Sequence, residues 1–460
     1  KGKVHIVQTR PVTTIHPAKG DSEDAQTIRS VYAGAVKLLQ GDAASPGIAS
    51  GPVVILKSAK DLHKVRSGDI LVAEQTNPDF VPAMRKAVGI LTERGGRTSH
   101  AAIVSRELGI PAIVGAKGVL AALNDGMVIT LNGSTGDVYK GAVASPVSRT
   151  PIHAESRSKT LVKTATKVYV NVAEPDRARK AAGMNVDGVG LFRAEFMVAE
   201  IGTHPKKFIA DGKQKQFIEK LSEGMEAICE AFHPRPVIYR ATDFKSNEFR
   251  NLKGGAEYEP KEENPMLGFR GAARYIADSR VFELELEAIK LVRNKKNFRN
   301  LHLMIPFVRT PKELLEVKKI IAANGLLRSP SFKLWMMVEL PTNVILLDKY
   351  LDVGIDGISI GSNDLTMLLL GTDRDNSEVA HDFNEMDDAV LWALEKTVRT
   401  GIARGVTVSI CGQAPSDYPE LVDKLVSWGI TSVSVNPDVV NSVRDHIYEA
   451  EKKLANRKIT

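Results

Sequence analysis

The sequence predicts an α/β protein with two folded units, a smaller β-rich unit followed by a (β/α)8 TIM barrel. From about residue 165 onward, short apolar strand patterns alternate with longer helical patterns, as they do in parallel βα units. A compact group of strand patterns precedes this region, and a polar stretch containing Pro146 and Pro151 separates the two. A doubly wound open sheet is the alternative arrangement for the second unit.

The amino-terminal residues contain a strand pattern and a linker pattern. Residues 4–10 alternate like a strand and stop at Pro11, whereas residues 15–40 are polar and then weakly helical. We therefore expect a strand remnant within residues 1–14 and a linker over 15–40. The smaller unit is expected over 41–141, a second linker over 142–160, and the barrel over 161–460.

Within the smaller unit, residues 44–56 predict a turn followed by a strand, and residues 69–73 and 89–92 predict buried strands. Asn132-Gly133 lies between two further strand patterns, which predicts a hairpin turn. His100 lies just beyond the strand at 89–92, in the first turn of an amphipathic helix pattern.

The second unit contains eight candidate strands. Their number, order and spacing fit the size of a TIM barrel. The predicted strands are residues 168–172, 188–192, 237–240, 301–306, 334–338, 357–360, 407–410 and 432–435.

Composition restricts the class of protein. The 460 residues carry a net charge of +7, which suits anionic ligands, but the basic residues are dispersed, so nucleic acid is a weak candidate partner. Cys229 and Cys411 are too few for a disulfide framework and lack metal-binding spacing, so reduced thiols are expected. Because no apolar run approaches the roughly 18 residues that span a membrane, we expect a cytoplasmic protein with no membrane partner.

The run ERGGRTSHAAIV at residues 93–104 predicts a reactive histidine. Glycines such as Gly96 permit a tight turn close to a ligand, and Thr98 or Ser99 can cap the following helix. The helix dipole and unpaired N–H groups stabilise an anion beside His100, whose neutral imidazole is a nucleophile near pH 7. His100 is therefore a candidate phosphoryl carrier, and a surface histidine in a capped helix is the alternative.

Several polar side chains come directly after predicted barrel strands, where a TIM barrel has its active site. Arginine forks there suit phosphate or carboxylate groups, and two further arginines are either part of the same site or members of ion pairs. The strand-end residues are Arg193, Arg240, Glu339, Asn363, Asp364 and Cys411, and the further arginines are Arg270 and Arg374.

Two of these groups have specific chemistry. Glu339 and Asp364 are hard oxygen donors that could share one Mg2+. Cys411 could exchange a proton with a substrate carbon, because a thiol near a metal and arginines can ionise more easily. Cys229 lies in a helical pattern and is expected to be a buried, inert thiol.

The histidine region resembles the phosphohistidine swivel domain of the phosphoenolpyruvate-utilising enzymes. The resemblance rests on GGRTSHAAI at residues 95–103 followed by SRELGIPAIVG at 105–115. It implies that the smaller unit is a swivelling phosphohistidine β/β/α domain and that His100 carries the phosphoryl group, supported by Gly96, Thr98 and Ser99.

The second unit resembles the pyruvate-binding TIM barrel of the same family, in its synthase branch. The matching runs are GLFRAEF at 190–196, YRATDFKSNE at 239–248, ENPMLGFRG at 263–271, MVE at 337–339 and GSND at 361–364. The resemblance implies that the arginines hold the substrate, that Glu339 and Asp364 bind Mg2+, and that Cys411 is the proton donor. It also implies that substrate contacts Gly361, Ser362 and Asn363.

The resemblance implies a function for the whole enzyme and for this chain. QTRP at residues 8–11 is similar to the closing strand of an ATP-grasp domain, in which Gln8 and Arg10 would contact nucleotide. We therefore expect a fragment of an enzyme that converts ATP, pyruvate and water to AMP, phosphoenolpyruvate and phosphate. This chain is expected to perform only the half-reaction between phosphohistidine and pyruvate, as a homodimer through the barrel.

Other functions remain open from the sequence. Pyruvate phosphate dikinase and enzyme I of the sugar phosphotransferase system share both units, but Arg97, the DFKSNE run and the QTRP strand favour the synthase branch. A phosphocarrier that senses phosphoenolpyruvate without net catalysis is an alternative of a different class.

Overall fold

The computed structural model describes residues 36–457 except 78–79, 97–98, 143–161, 375 and 377. The two units that it contains are a smaller unit over residues 36–142 and a barrel over residues 162–457. The predicted strand and nucleotide contacts at Gln8 and Arg10 lie outside the described residues, as does most of both predicted linkers.

The smaller unit is an eight-stranded mixed sheet with the order β1-β8-β7-β3-β4-β5-β6-β2. Strands β3 to β6 are parallel, and the remaining pairs are antiparallel. The strands are β1 (Lys37–Gln40), β2 (Asp42–Ser45), β3 (Ile48–Leu56), β4 (Ile70–Ala73), β5 (Gly89–Thr92), β6 (Ala112–Val114), β7 (Val128–Asn132) and β8 (Asp137–Lys140). The helices are α1 (Val81–Met84), α2 (His100–Leu108) and α3 (Val119–Ala122), with a 3-10 turn at Ala59–Lys64.

Both faces of the central parallel strands are buried, which explains why these strands are continuous apolar runs. Leu71 and Ile90 pack on the face covered by α1 and α2, whereas Ile70, Val72 and Leu91 pack on the opposite face. The hairpin predicted around Asn132-Gly133 is confirmed, since β7 and β8 pair directly.

The sequence analysis was wrong at one boundary of the smaller unit. Residues 37–40, which were assigned to a linker, form β1 at the edge of the sheet, where Lys37 pairs with Tyr139 of β8. Burial is shallow there, because Leu38 and Leu39 are only half-buried, and this is why the segment resembles a polar linker in sequence.

Eight parallel strands close the barrel in the second unit, because β16 pairs with β9. This pairing excludes the open sheet that was the alternative prediction. The strands are β9 (Lys167–Val172), β10 (Gly188–Arg193), β11 (Val237–Arg240), β12 (Leu301–Ile305), β13 (Leu334–Val338), β14 (Gly357–Ile360), β15 (Thr407–Ile410) and β16 (Ser432–Val435).

Helices surround the barrel and share one apolar core with the outward-facing strand residues. The helices are α4 (Ala178–Ala182), α5 (Glu195–Ile201), α6 (Pro205–Ala210), α7 (Gln214–Phe232), α8 (Ser246–Arg250), α9 (Gly255–Tyr258), α10 (Ala272–Ala277), α11 (Ser279–Lys290), α12 (Pro311–Ala323), α13 (Pro341–Ile345), α14 (Leu347–Asp352), α15 (Ser362–Leu370), α16 (Asp388–Ala403), α17 (Ala414–Asp417), α18 (Pro419–Trp428) and α19 (Val440–Arg457). Shorter turns lie at Pro175–Arg177, Leu291–Lys295, Ala380–Asp382 and Pro437–Val439. No helix in the described part of the chain is long and apolar enough to cross a membrane.

The two units contact each other next to helix α2. Arg177 of the barrel donates a hydrogen bond to the Leu108 carbonyl at the end of α2, and a Cβ at Gly109 would collide with its guanidinium. On another part of the interface, Arg85 of the smaller unit lies 3.2 Å from Glu174. These contacts place the beginning of α2, and therefore His100, at the carboxyl end of the barrel strands.

Candidate active site

Three carboxylates meet at the carboxyl end of the barrel strands. One oxygen from each of Asp243, Glu339 and Asp364 lies within 4.8 Å of the others. Asp243 follows β11, Glu339 follows β13, and Asp364 lies in the first turn of α15 after β14. Because parallel strands end at one rim of the barrel, residues far apart in sequence converge there.

Burial and mutual repulsion make this cluster electrostatically costly. Glu339 is buried, and burial together with the neighbouring Asp364 and Asp243 raises its pKa to about 8. Burial acts in the same direction on Asp364, but Arg270 and other cations outweigh it and lower the pKa of Asp364. A bound divalent cation would relieve the repulsion, so the donor set fits Mg2+.

The backbone at Phe307 fixes the orientation of Glu339. Its N–H donates a 2.6 Å hydrogen bond to Glu339 Oε1. Phe307 has φ +48°, a left-handed conformation that is uncommon for a bulky side chain. Its ring is covered by Arg270, whose guanidinium carbon lies 4.0 Å from the ring centroid.

Arg270 is buried and fully engaged with the carboxylates. Its Nε lies 3.0 Å from Asp243 Oδ1, and its Nη2 lies 3.0 Å from Asp364 Oδ2. The sequence analysis left open whether Arg270 joins the site or forms an ion pair, and both descriptions apply. The role in direct substrate binding stays a prediction for Arg270.

Of the other predicted arginines, Arg240 donates from Nη2 to Glu195 Oε1 at 2.9 Å. Its Nε is buried without a partner among the described residues. Arg193 is the last residue of β10, and its positive charge, like that of Arg240, acts on Cys411. Arg374 lies in the loop after α15 and lowers the pKa of Asp364. All four predicted arginines therefore lie at the carboxyl end of the barrel strands.

The loop from Gly361 to Asp364 is held by a buried glutamate that the sequence analysis missed. Ser362 Oγ donates a 2.6 Å hydrogen bond to Glu385 Oε1. With its amide oriented to satisfy both neighbours, Asn363 donates to Glu385 at 3.2 Å and accepts from Arg374 at 3.0 Å. Burial raises the pKa of Glu385 to about 7.

Cys411 directly follows β15 and is 4% exposed. Burial raises the pKa of its thiol to about 11, although Ser359 and Arg240 act in the opposite direction. The thiol therefore keeps its proton at neutral pH, because burial outweighs the nearby arginines, which act in the expected direction. The role of Cys411 as proton donor stays a prediction. Cys229 is fully buried in α7, as predicted.

His100 is the first residue of α2 and faces the barrel site. Its Nδ1 lies 2.9 Å from Thr76 Oγ1, which leaves Nε2 directed elsewhere. Burial, together with Lys245, Arg374 and Arg193 of the barrel, lowers the pKa of His100 to about 3. The imidazole is therefore neutral at pH 7 and lies within electrostatic reach of the barrel cations.

The prediction that a side chain caps α2 was wrong for Ser99. Ser99 occupies the N-cap position, but its side chain accepts no capping hydrogen bond, and its buried Oγ has no partner among the described residues. The reason is that the Ser99 side chain packs towards Gly95 rather than over the first turn. Gly96 precedes it without crowding, and Thr98 lies outside the described residues.

Comparisons with known proteins agree with this geometry. Residues 150–452 match the PEP-binding domain of the PEP-utilising enzymes, where PEP is phosphoenolpyruvate, and residues 65–136 match the mobile domain of the same enzymes. This chain belongs to that family.

Its relatives in the PEP-utilising family include proteins named phosphoenolpyruvate synthase. The chain is 44% identical to the one from Pyrococcus furiosus, over 98% of this chain and 55% of the relative. It is 44% identical to the one from Aeropyrum pernix, over 98% and 56%, and 43% identical to the one from Pseudomonas aeruginosa, over 95% and 58%. The chain thus spans little more than half the length of these relatives.

Sequence reasoning missed three further residues near this site. Thr76 follows β4, and His100 follows the adjacent parallel strand β5. Because adjacent parallel strands end at the same edge of a sheet, this order could have predicted that the two residues lie close together. Asp243 lies three residues after Arg240 and was quoted only as part of a motif. Lys245 lies two residues further, and its charge acts on both His100 and Asp364.

Proposed function

We propose that this chain transfers a phosphoryl group between His100 and the enolate of pyruvate, which is the half of the phosphoenolpyruvate synthase reaction that takes place in the barrel. The observation that carries the proposal is the position of His100, on the smaller unit but among cations of the barrel beside a carboxylate cluster. The names of the relatives favour a synthase over a dikinase, an enzyme I-like transferase or a sensor.

In the direction of phosphoenolpyruvate synthesis, the thiol of Cys411 first loses its proton to solvent. The resulting thiolate removes a proton from the methyl carbon of pyruvate, so that a C–H bond breaks and an S–H bond forms. The enolate oxygen then attacks phosphorus on Nε2 of His100, and the P–N bond breaks as the P–O bond forms. In the reverse direction Cys411 donates its proton to the enolate carbon. A thiol pKa of about 11 favours this donor role at neutral pH.

Asp243, Glu339 and Asp364 would hold Mg2+, with Glu339 and Asp364 as the predicted ligands and Asp243 as a third donor. The cation supplies charge stabilisation for an enolate oxygen. Arg193, Arg240 and Arg374 bind the carboxylate and phosphoryl oxygens, whereas Arg270 holds Asp243 and Asp364 in place.

Thr76 positions His100. When Nδ1–H donates to Thr76 Oγ1, the lone pair of the imidazole lies on Nε2, the nitrogen that attacks phosphorus. The N–H groups at the beginning of α2 then face the transferred phosphoryl group. Gly96, Thr98 and Ser99 support that group through the backbone of the turn.

The proposal extends to the complete enzyme. It includes the predicted division at 41–141 and 161–460, a nucleotide-binding domain to which Gln8 and Arg10 belong, ATP as the source of the phosphoryl group, a dimer through the barrel and a cytoplasmic location. Water is the second phosphoryl acceptor in the complete synthase.

Intact mass measurement under alkaline conditions tests the half-reaction. The chain is incubated with phosphoenolpyruvate and Mg2+, alongside a His100→Ala variant and a control variant, His63→Ala, at an exposed histidine of the same unit. We expect a gain of one phosphoryl group that is lost in acid and is absent only from His100→Ala. A gain that persists in His100→Ala would place the phosphoryl group elsewhere and refute the proposal.

A further inference from the structure

The interior of the barrel has two chemically different halves. Most inward-facing residues of β10 to β13 are bulky and apolar and form one cluster with Cys411, although His302 of β12 also lies on the inner side. Strands β14 to β16 instead direct small polar side chains inward, since the residues that alternate with them pack in the outer core. The apolar set is Leu191, Ile238, Met304, Trp335 and Met337, and the polar set is Ser359, Thr407, Ser409, Ser432 and Ser434.

Three of these serines form a continuous row below Cys411. Ser359 pairs in register with Ser409, and Ser409 pairs with Ser432. Neighbouring strands lie about 4.8 Å apart, so a single water molecule can bridge adjacent hydroxyls. TIM-barrel interiors are usually filled by branched apolar side chains, which makes a polar row unusual at this depth.

Among the described residues, the hydroxyls of this row make no hydrogen bond of standard geometry. Ser359, Ser409 and Ser432 are at most 1% exposed, and none of their Oγ atoms has a hydrogen-bond partner among the described residues. A buried hydroxyl without a partner costs about 1–3 kcal/mol, so three in one row call for a common ligand. By contrast, Ser434 is satisfied by a 2.7 Å hydrogen bond to Asn171.

The row runs across three neighbouring strands, with Cys411 on its carboxyl side and Thr407 on its amino side. On the carboxyl side, the Ser359 hydroxyl lies close enough to the Cys411 sulfur to lower the pKa of the thiol, although the pair lacks standard hydrogen-bond geometry. On the amino side, Thr407 points inward two residues before Ser409 and lines a cleft of about 430 Å³ at the amino-terminal ends of β13 to β15. Trp335 lines the same cleft and also belongs to the interior cluster with Cys411.

We propose that Ser359, Ser409 and Ser432 bind water inside the barrel and form the path by which Cys411 exchanges its proton with solvent at the amino-terminal end. This inference rests on the proposed function and identifies the source of the proton. When the smaller unit is docked, His100 covers the site from the carboxyl end. A second route therefore allows the thiol to be reprotonated without undocking.

The proton balance of the path is simple. After Cys411 donates its proton to the enolate carbon, the thiolate takes a proton from the adjacent water. Each hydroxyl or water in the row then passes one proton along, and the last proton comes from solvent in the cleft. No oxidant, reductant or further reactant is needed. Serine hydroxyls suit this role because each can donate and accept at once.

Isotope exchange separates proton exchange from phosphoryl transfer. In D2O with Mg2+, phosphoenolpyruvate and carbon-labelled pyruvate, the half-reaction moves the carbon label between the two compounds and deuterium into the methyl group. The test compares the unaltered chain with a double variant, Ser359→Ala and Ser409→Ala. Ser222→Ala is the control, since this buried serine of α7 bonds only locally, at 2.8 Å to the Glu219 carbonyl.

In the unaltered chain and in Ser222→Ala we expect about one deuterium for each label exchanged, because the thiol equilibrates with solvent between turnovers. In the double variant we expect this ratio to fall at least about fivefold, since the same proton returns to the substrate, while the carbon exchange rate stays within about twofold. Ser409→Thr, which keeps the hydroxyl, should restore the ratio.

The possible outcomes are distinct. An unchanged ratio in the double variant overturns the path, whether carbon exchange is retained or falls, because the serines would then have only a structural role. Absence of carbon exchange in the unaltered chain would instead refute the proposed function, and the path with it. A high-resolution crystal structure adds a check without catalysis: we expect ordered water on Ser359 and Ser409, and a dry interior there would contradict the proposal.

Discussion

His100 of the smaller unit and Arg270 of the barrel both belong to the proposed site, but they are held in different ways. Arg270 is fixed by two carboxylates and a stacked ring of its own unit. Among the described residues, the side chain of His100 has one hydrogen bond, to Thr76, and its cationic surroundings come from the barrel. The barrel is thus preorganised alone, whereas the histidine acquires its full environment only when docked.

This difference has a physical reason. Charged groups that stabilise a reacting anion are most effective when folding has already fixed their positions, because they then need no reorganisation during the reaction. In the proposed reaction His100 also has to reach the source of its phosphoryl group, so strong permanent contacts around it would oppose that movement. A neutral imidazole with a pKa of about 3 in the docked position avoids such contacts at neutral pH.

The largest effect is expected from a substitution in the carboxylate cluster of the barrel. Glu339→Gln removes a metal ligand, so Mg2+-dependent phosphorylation of His100 should fall at least about 100-fold. Without Mg2+ the same variant should have an equal or higher Tm, because the buried carboxylate repels Asp364 and Asp243. Rapid-quench rates and thermal unfolding measure the two effects, with Glu395→Gln on the exposed side of α16 as control. A lower Tm together with normal Mg2+ dependence would contradict the assignment.

An intermediate effect is expected from the one fixed contact of the histidine. Thr76→Val keeps the shape of the side chain but removes the hydrogen bond to Nδ1, so phosphorylation should slow about tenfold. Thr76→Ser should keep most of the rate. Phosphorus NMR of the phosphoprotein should show only the Nε2 isomer in the unaltered chain and a mixture in Thr76→Val. A single isomer and an unchanged rate would show that Thr76 does not orient the ring.

The smallest effect is expected at the docking contacts. Arg85 pairs with Glu174 at 3.2 Å and with Glu200 at 3.6 Å, and it is partly exposed. Such pairs contribute about 0–1 kcal/mol, so Arg85→Ala should slow phosphorylation about two- to threefold and make the rate less sensitive to salt. Lys215→Ala, which breaks a pair within α7, is the control. Equal salt dependence in both variants would argue against Arg85 as a docking residue.

Much of the barrel was predictable because its strands are buried on both sides. The predicted ranges 237–240, 334–338, 357–360, 407–410 and 432–435 coincide with the observed strands, and the other three differ by one residue at one end. Continuous apolar runs bounded by polar residues mark such strands clearly. Strand β1 was missed because an edge strand of a sheet is exposed and has no such run.

The site was predictable where a single strand end identified a residue, and not where two elements had to meet. Glu339 and Cys411 follow their strands directly and Asp364 lies in the first helical turn after β14, so the barrel rule located them. The pairing of Thr76 with His100 depends on which strands are neighbours, and the use of Arg270 to hold carboxylates depends on where a long loop folds back. The orientation of Ser99 depends on packing against Gly95, which a capping pattern does not contain.

The contact between Arg177 and the Leu108 carbonyl fixes the end of helix α2 that lies opposite His100. The nine residues of the helix span about 13 Å, with the anchor at one end and the reactive histidine at the other. A tilt of about 10° about the anchor would displace His100 by roughly 2 Å, whereas a misplacement of about 1 Å can already slow a reaction 100-fold. The barrel therefore controls the position of His100 through a contact at the opposite end of the helix.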